Sequence, residues 1–236
     1  MSLRTHFAAI ALIVLGVATG LAACGGDDEE SAPAPAAQTM TGHAMSAGAS
    51  TGGATSAAAD LRVTLDTLLG EHALLAIAAT QKGYDGDPDF EAAAAALDAN
   101  SVDVANAIGS VYGEEAADTF LDGPSLWRDH ISFFVDYTVA LAKKDKEAQK
   151  EAVDNLIGYT GAFSGFLAQA TGLPQAPLQE GVTEHVMQLK GALDAYAAGN
   201  YAKVARLTRE AYAHMVMTGD TLADAIVAQH PKMFGS

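Results

Sequence analysis

The stretch DLRVTLDTLLGEHALLAIAAT, residues 60–80, decides the fold. Leu61, Leu65, Leu68 and Leu69, and again Leu75, recur at the three-to-four-residue spacing of one helical face. Alternation of apolar and polar residues, the mark of a half-buried strand, is missing here. The pattern continues to the C-terminus. It predicts six main helices at roughly 60–82, 88–111, 124–143, 145–171, 177–198 and 200–229, with a short helix near 114–121. Gly83 and Gly86, Gly123-Pro124, Gly172 with Pro174, and Gly199-Asn200 punctuate them. The expected fold is an all-α helical bundle occupying residues 59–236, long enough for one sizeable core.

Within this bundle the helices group as three hairpins in a pseudo-repeat. Each hairpin's first helix carries an acid–histidine pair: Glu71-His72, Asp129-His130 and Glu184-His185. The three histidines are almost evenly spaced along the chain. A turn signal follows each of them at one and the same interval: Gly86-Asp87, Lys144-Asp145 and Gly199-Asn200. A shared period in both pair and turn is the signature of stacked or pseudo-symmetric helical units.

The histidines are expected to point inward. His72 has Leu68, Leu69 and Leu75 one turn away, His130 has Leu126, Trp127, Phe133 and Phe134, and His185 has Val182 and Leu189. His214 lies on the last helix beside Met215 and Met217, one turn after Glu210. A buried imidazole needs a hydrogen-bond partner or a metal. If the hairpins share an axis, His72, His130, His185 and His214 converge into a site for copper or zinc. Glu71, Asp129, Glu184 and Glu210 then serve as further ligands or orient the rings. The competing reading is a set of core histidines, each bonded to an acid on a neighbouring helix. Rings more than about 10 Å apart could not share an ion held at about 2.0–2.1 Å per bond. Trp127, Phe133, Phe134 and Tyr137 read as helix core.

Ahead of the bundle the chain changes character. Arg4 is followed by an apolar run from Phe7 to Val17, shorter than the roughly twenty residues of a bilayer span, and by small residues as a cleavage site requires. Cys24 is the chain's single cysteine, so no disulfide or thiolate cluster is available. Leu21-Ala22-Ala23-Cys24 resembles the lipobox of bacterial lipoproteins. That resemblance implies a signal peptide at 1–23, acylation of the Cys24 thiol, and residence on the extracytoplasmic face of a cell membrane. Residues 24–58 read as a disordered Gly/Ser/Thr/Ala/Pro tether opening on the acidic run 27–30. Met40, His43 and Met45 within it form an auxiliary soft-ligand set suited to copper. No later segment reads as a membrane span.

The net charge is −16, and removing residues 1–23, which hold Arg4 and no acid, makes it −17. Such a chain is repelled by nucleic acid, which is therefore excluded as a partner. Glu-x-x-His pairs, His-Glu-x-x-His, Cys-x-x-Cys-His and Gly-rich phosphate loops are absent. An enzyme is accordingly the minority reading. Bis-histidine haem ligation needs only two facing histidines and stays open. The first expectation is a lipid-anchored, extracytoplasmic protein binding a metal ion, copper before zinc. The alternative is a surface interaction or structural module without a ligand. No protein partner is legible.

Overall fold

Ser56 starts the bundle. Its hydroxyl accepts from the Ala59 amide at 3.2 Å, capping one of the free N–H groups of a helix N-terminus. The computed structural model describes residues 56–235. The signal peptide, Cys24, nearly all of the tether, and Met40, His43 and Met45 lie outside the described residues. The helices are α1 (Ala57–Asp85), α2 (Phe90–Tyr112), α3 (Glu114–Asp122), α4 (Trp127–Ala142), α5 (Lys146–Thr171), α6 (Gln175–Ala197), α7 (Tyr201–Gln229) and α8 (Pro231–Phe234). Strands are absent among the described residues. The fold is an all-α bundle.

Three boundaries differ from the sequence expectation for physical reasons. Ala57 and Ala58, assigned to the tether, are helical because Ser56 caps them from outside. Gly83 does not end α1: a Cβ there would stand 2.9 Å from the Phe90 ring, so the glycine admits the start of α2. The segment 124–126 forms a turn, with Ser125 at φ 59°, and α4 begins only at Trp127.

The threefold register is written in the turns. Gly86, Lys144 and Gly199, each the same number of positions after its histidine, all adopt the left-handed conformation, at φ 70°, 59° and 69°. In each turn the next residue's amide reaches back to the carbonyl one helical turn and a residue earlier: Asp87 to Lys82 at 3.0 Å, Asp145 to Ala140 at 2.9 Å, Asn200 to Ala195 at 2.8 Å. This is the bond of a Schellman cap, which supplies a donor to an orphan carbonyl at the helix end. Asp145 and Asn200 then cap the following helices through their side chains.

Because the three turns match, the first helices of the hairpins reach the centre in matching register. α1, α4 and α6 contact one another, while α1 also packs on α2 and α7. Leu69, Ala73, Phe134, Leu156, Val186 and Leu189 belong to the central core. Gly219 lets α7 approach α1 closely, since a Cβ there would lie 2.5 Å from Asp66 Oδ1. α1 is long and apolar enough to cross a membrane by length and composition, contrary to the expectation of no such segment. Its buried face is the one that packs into this core.

Candidate metal centre

His72 on α1, His130 on α4 and His185 on α6 meet at the centre of the bundle. Each offers a ring nitrogen, and these three atoms lie within 4.8 Å of one another. His72 Nε2 and His130 Nε2 are 3.4 Å apart. Ring centroids are separated by 5.4, 5.6 and 6.5 Å, well inside the limit that shared coordination sets. Two nitrogens bound at about 2.0–2.1 Å to one trigonal or tetrahedral ion are about 3.3–3.6 Å apart. The Nε2 pair of His72 and His130 already has that spacing, and the 4.8 Å limit leaves the third nitrogen at most about 1.5 Å to draw in, within reach of a side-chain rotation.

All three rings are buried, at 0, 1 and 5 % exposure. Nδ1 of His72 and both ring nitrogens of His185 have no hydrogen-bond partner, and His130 Nδ1 makes none of good geometry. Burial removes the water that would stabilise a charged imidazolium. It pushes His72 and His185 well below the ordinary histidine range, and the neighbouring rings add to the effect. His130 is lowered to about 3 by burial and then by His185, with the Trp127 backbone opposing. The rings are therefore neutral at physiological pH and retain the lone pairs that a metal takes. Three convergent buried histidines of this kind can form a metal site.

The acids of the three pairs do not join the rings. Preceding each histidine by one residue places them about 100° round the helix, and that direction leads outward here. Glu71 is exposed and accepts from Asn100 Nδ2 at 2.9 Å. Asp129 accepts from the Ser125 amide at 2.7 Å. Glu184 is exposed and accepts from Gln188 at 3.0 Å, and Glu210 pairs with Arg206 at 2.8 Å. His214 is also held apart: its Nε2 lies 2.9 Å from the Gly181 carbonyl and donates to it, with Nδ1 3.8 Å from Glu184. It lines the cavity beside His130 and His185 rather than joining their cluster. Met215 is buried and Met217 is exposed.

Trp127, read as plain core, borders the centre, and so does Tyr159, which the sequence reading did not single out. Trp127 packs 4.6 Å from His72, and Tyr159 stacks on His130 at 4.7 Å and 19°. Tyr159 and Phe163 sit one turn apart on α5 and stack on each other. That i, i+4 aromatic pair was the available signal in the sequence. A void of about 30 Å³ touches His72 and His130. A cavity of about 440 Å³ is lined by His130 and His185 and, where its lining is exposed, by Glu115 and Thr119 of α3 and Gln169 of α5.

Compared with known proteins, the chain matches no family model, no curated protein and no solved structure.

Proposed function

We propose that this protein is a lipid-anchored, extracytoplasmic metal-handling protein that holds one copper ion on His72, His130 and His185. The carrying observation is the meeting of three neutral, buried imidazoles, one from each hairpin, with their nitrogens within 4.8 Å. The charge of the ion separates copper from zinc. The donors are nitrogen only, and the acids of the pairs bond elsewhere. The cost of burying an ion grows with the square of its charge. A buried, uncharged donor set therefore suits monovalent copper better than a dication. Zinc is second: it would complete three histidines with a fourth ligand entering from the cavity. Met40, His43 and Met45 offer soft donors that suit capture of the same ion, and the Cys24 lipid would keep the protein at the membrane surface, where it buffers or delivers copper.

The test is metal analysis of the detergent-solubilised chain, loaded with Cu(I) under reducing conditions and desalted. The expected result is one ion per chain, retained against weak chelators and absent when His72, His130 and His185 are replaced together. Equal copper content in that triple variant would reject the centre and put the ion elsewhere in the chain. Absence of copper from the parent as well would leave the bundle as a ligand-free surface module.

A further inference from the structure

The larger cavity, about 440 Å³ in volume, has a chemistry that the metal reading does not use. An apolar cavity of about 150 Å³ accommodates benzene, so this one has room for a molecule of two to three fused rings. Its walls include Leu69, Phe120, Tyr159, Phe163 and Met215. Phe120 and Phe163 both pack near Trp127, with ring centroids 4.8 and 6.0 Å from it, and such faces favour a flat aromatic guest. Glu115, at the mouth, is the one carboxylate among the lining residues, and no lysine or arginine lines the cavity. An anion would thus enter without a counter-charge, into a chain of net charge −16.

Polar groups occur at the inner end. Trp127 and His185 both line the cavity with their rings; the Trp127 Nε1–H and both His185 ring nitrogens lie within its wall, without hydrogen-bond partners, and a small turn of either ring opens them to a guest. A buried polar group left without a partner is costly, and a guest that bonds to it recovers that cost. A hydroxyl or carbonyl oxygen can accept from the indole N–H, and a hydroxyl can also donate to an imidazole nitrogen. Pockets with apolar walls and a few polar groups are the usual form of small-molecule sites.

We infer that the cavity is a binding site for a neutral, flat aromatic molecule of two to three rings with a hydroxyl or carbonyl head, held with that head toward Trp127 and His185. The inference is drawn for the chain with its histidines free, and its test does not require that a metal bind.

Trp127 is the single tryptophan, so its fluorescence reports the inner end of the cavity directly. The solubilised chain, stripped of metal and kept in chelator, is titrated with 1-naphthol, naphthalene and 1-naphthoate, by calorimetry and by Trp127 emission. Saturable binding of one 1-naphthol per chain is expected, at least tenfold tighter than naphthalene, with no binding of 1-naphthoate. In Trp127→Phe, measured by calorimetry, 1-naphthol should fall toward the affinity of naphthalene. Ala116→Phe, which fills the lining beside α3, should weaken both neutral probes at least tenfold at unchanged melting temperature. Absence of saturable binding, equal affinity for 1-naphthol and naphthalene, or undiminished binding in a folded Ala116→Phe variant would each overturn the inference. Copper content, measured separately on the same preparation, decides the metal centre on its own.

Discussion

His72 Nε2 and His130 Nε2 stand 3.4 Å apart although 58 residues separate them in the chain. With both rings neutral, one must donate to the other, or both must turn lone pairs toward a shared third party. The ring nitrogens of His185 add to the second arrangement, because they have no partner of their own.

Single replacements should separate the ring cluster from its surroundings. His72→Ala, His130→Ala or His185→Ala is expected to lower copper affinity at least tenfold, and His214→Ala, Glu71→Gln and Glu210→Gln to change it less than threefold. Competition against a chromogenic Cu(I) chelator measures this. In the metal-free chain His185→Leu should keep or raise stability in urea, since an apolar side chain replaces two unsatisfied nitrogens. The same substitution should remove the ion.

The histidines also set a pH dependence for the metal-free protein. His130 titrates near 3 in the folded chain against 6.5 unfolded, and His72 and His185 are shifted the same way. Between these values the unfolded chain binds more protons, so stability rises with pH. The contribution is fully present above about pH 6.5 and drains away as pH falls toward 3. Urea midpoints at pH 7.5 and 5 should therefore differ by more in the parent than in His130→Leu. An equal drop in both would show that His130 carries no such linkage.

Glycine substitutions test the packing. Gly219→Ala would drive a Cβ to 2.5 Å from Asp66 Oδ1 and 2.8 Å from its backbone nitrogen. It should cost about 1–3 kcal/mol or more. Gly158→Ala meets nothing within 4 Å on an exposed helical face and should stabilise by about 0.4–1 kcal/mol. Lys144→Gly relieves a non-glycine residue at φ 59°, where Gly86 and Gly199 hold the equivalent places. A gain of up to about 1 kcal/mol is expected. Thermal melts of the three variants decide these signs.

If Cys24 carries the lipid, as proposed, Cys24→Ser should move the protein out of the membrane fraction. Fractionation followed by mass spectrometry of the N-terminal peptide reads both location and acylation. A Cys24→Ser protein still fully sedimenting with membranes would remove the lipid anchor from the proposal.

Much of this site was legible in the sequence because helical periodicity fixes direction. Leucines and aromatics one turn from His72, His130 and His185 mark the inward face, and the repeated interval to Gly86, Lys144 and Gly199 sets the common height. The acids were harder to place. Adjacency in sequence is not adjacency in space on a helix, and Glu71 and Glu184 face the solvent side. His214 shares an apolar face with its neighbours, yet the Gly181 carbonyl holds its Nε2. The cavity had no local signature at all, because its lining is drawn from seven helices, a relation among distant segments.

The three buried rings are divided among the hairpins so that none holds more than one of them. Detaching any single hairpin would leave an ion two donors and an opening to water, so cargo and tertiary structure would be surrendered together. A partner that needed to unload this protein would not have to compete for the ion ligand by ligand; prising one helical pair from the other two would suffice.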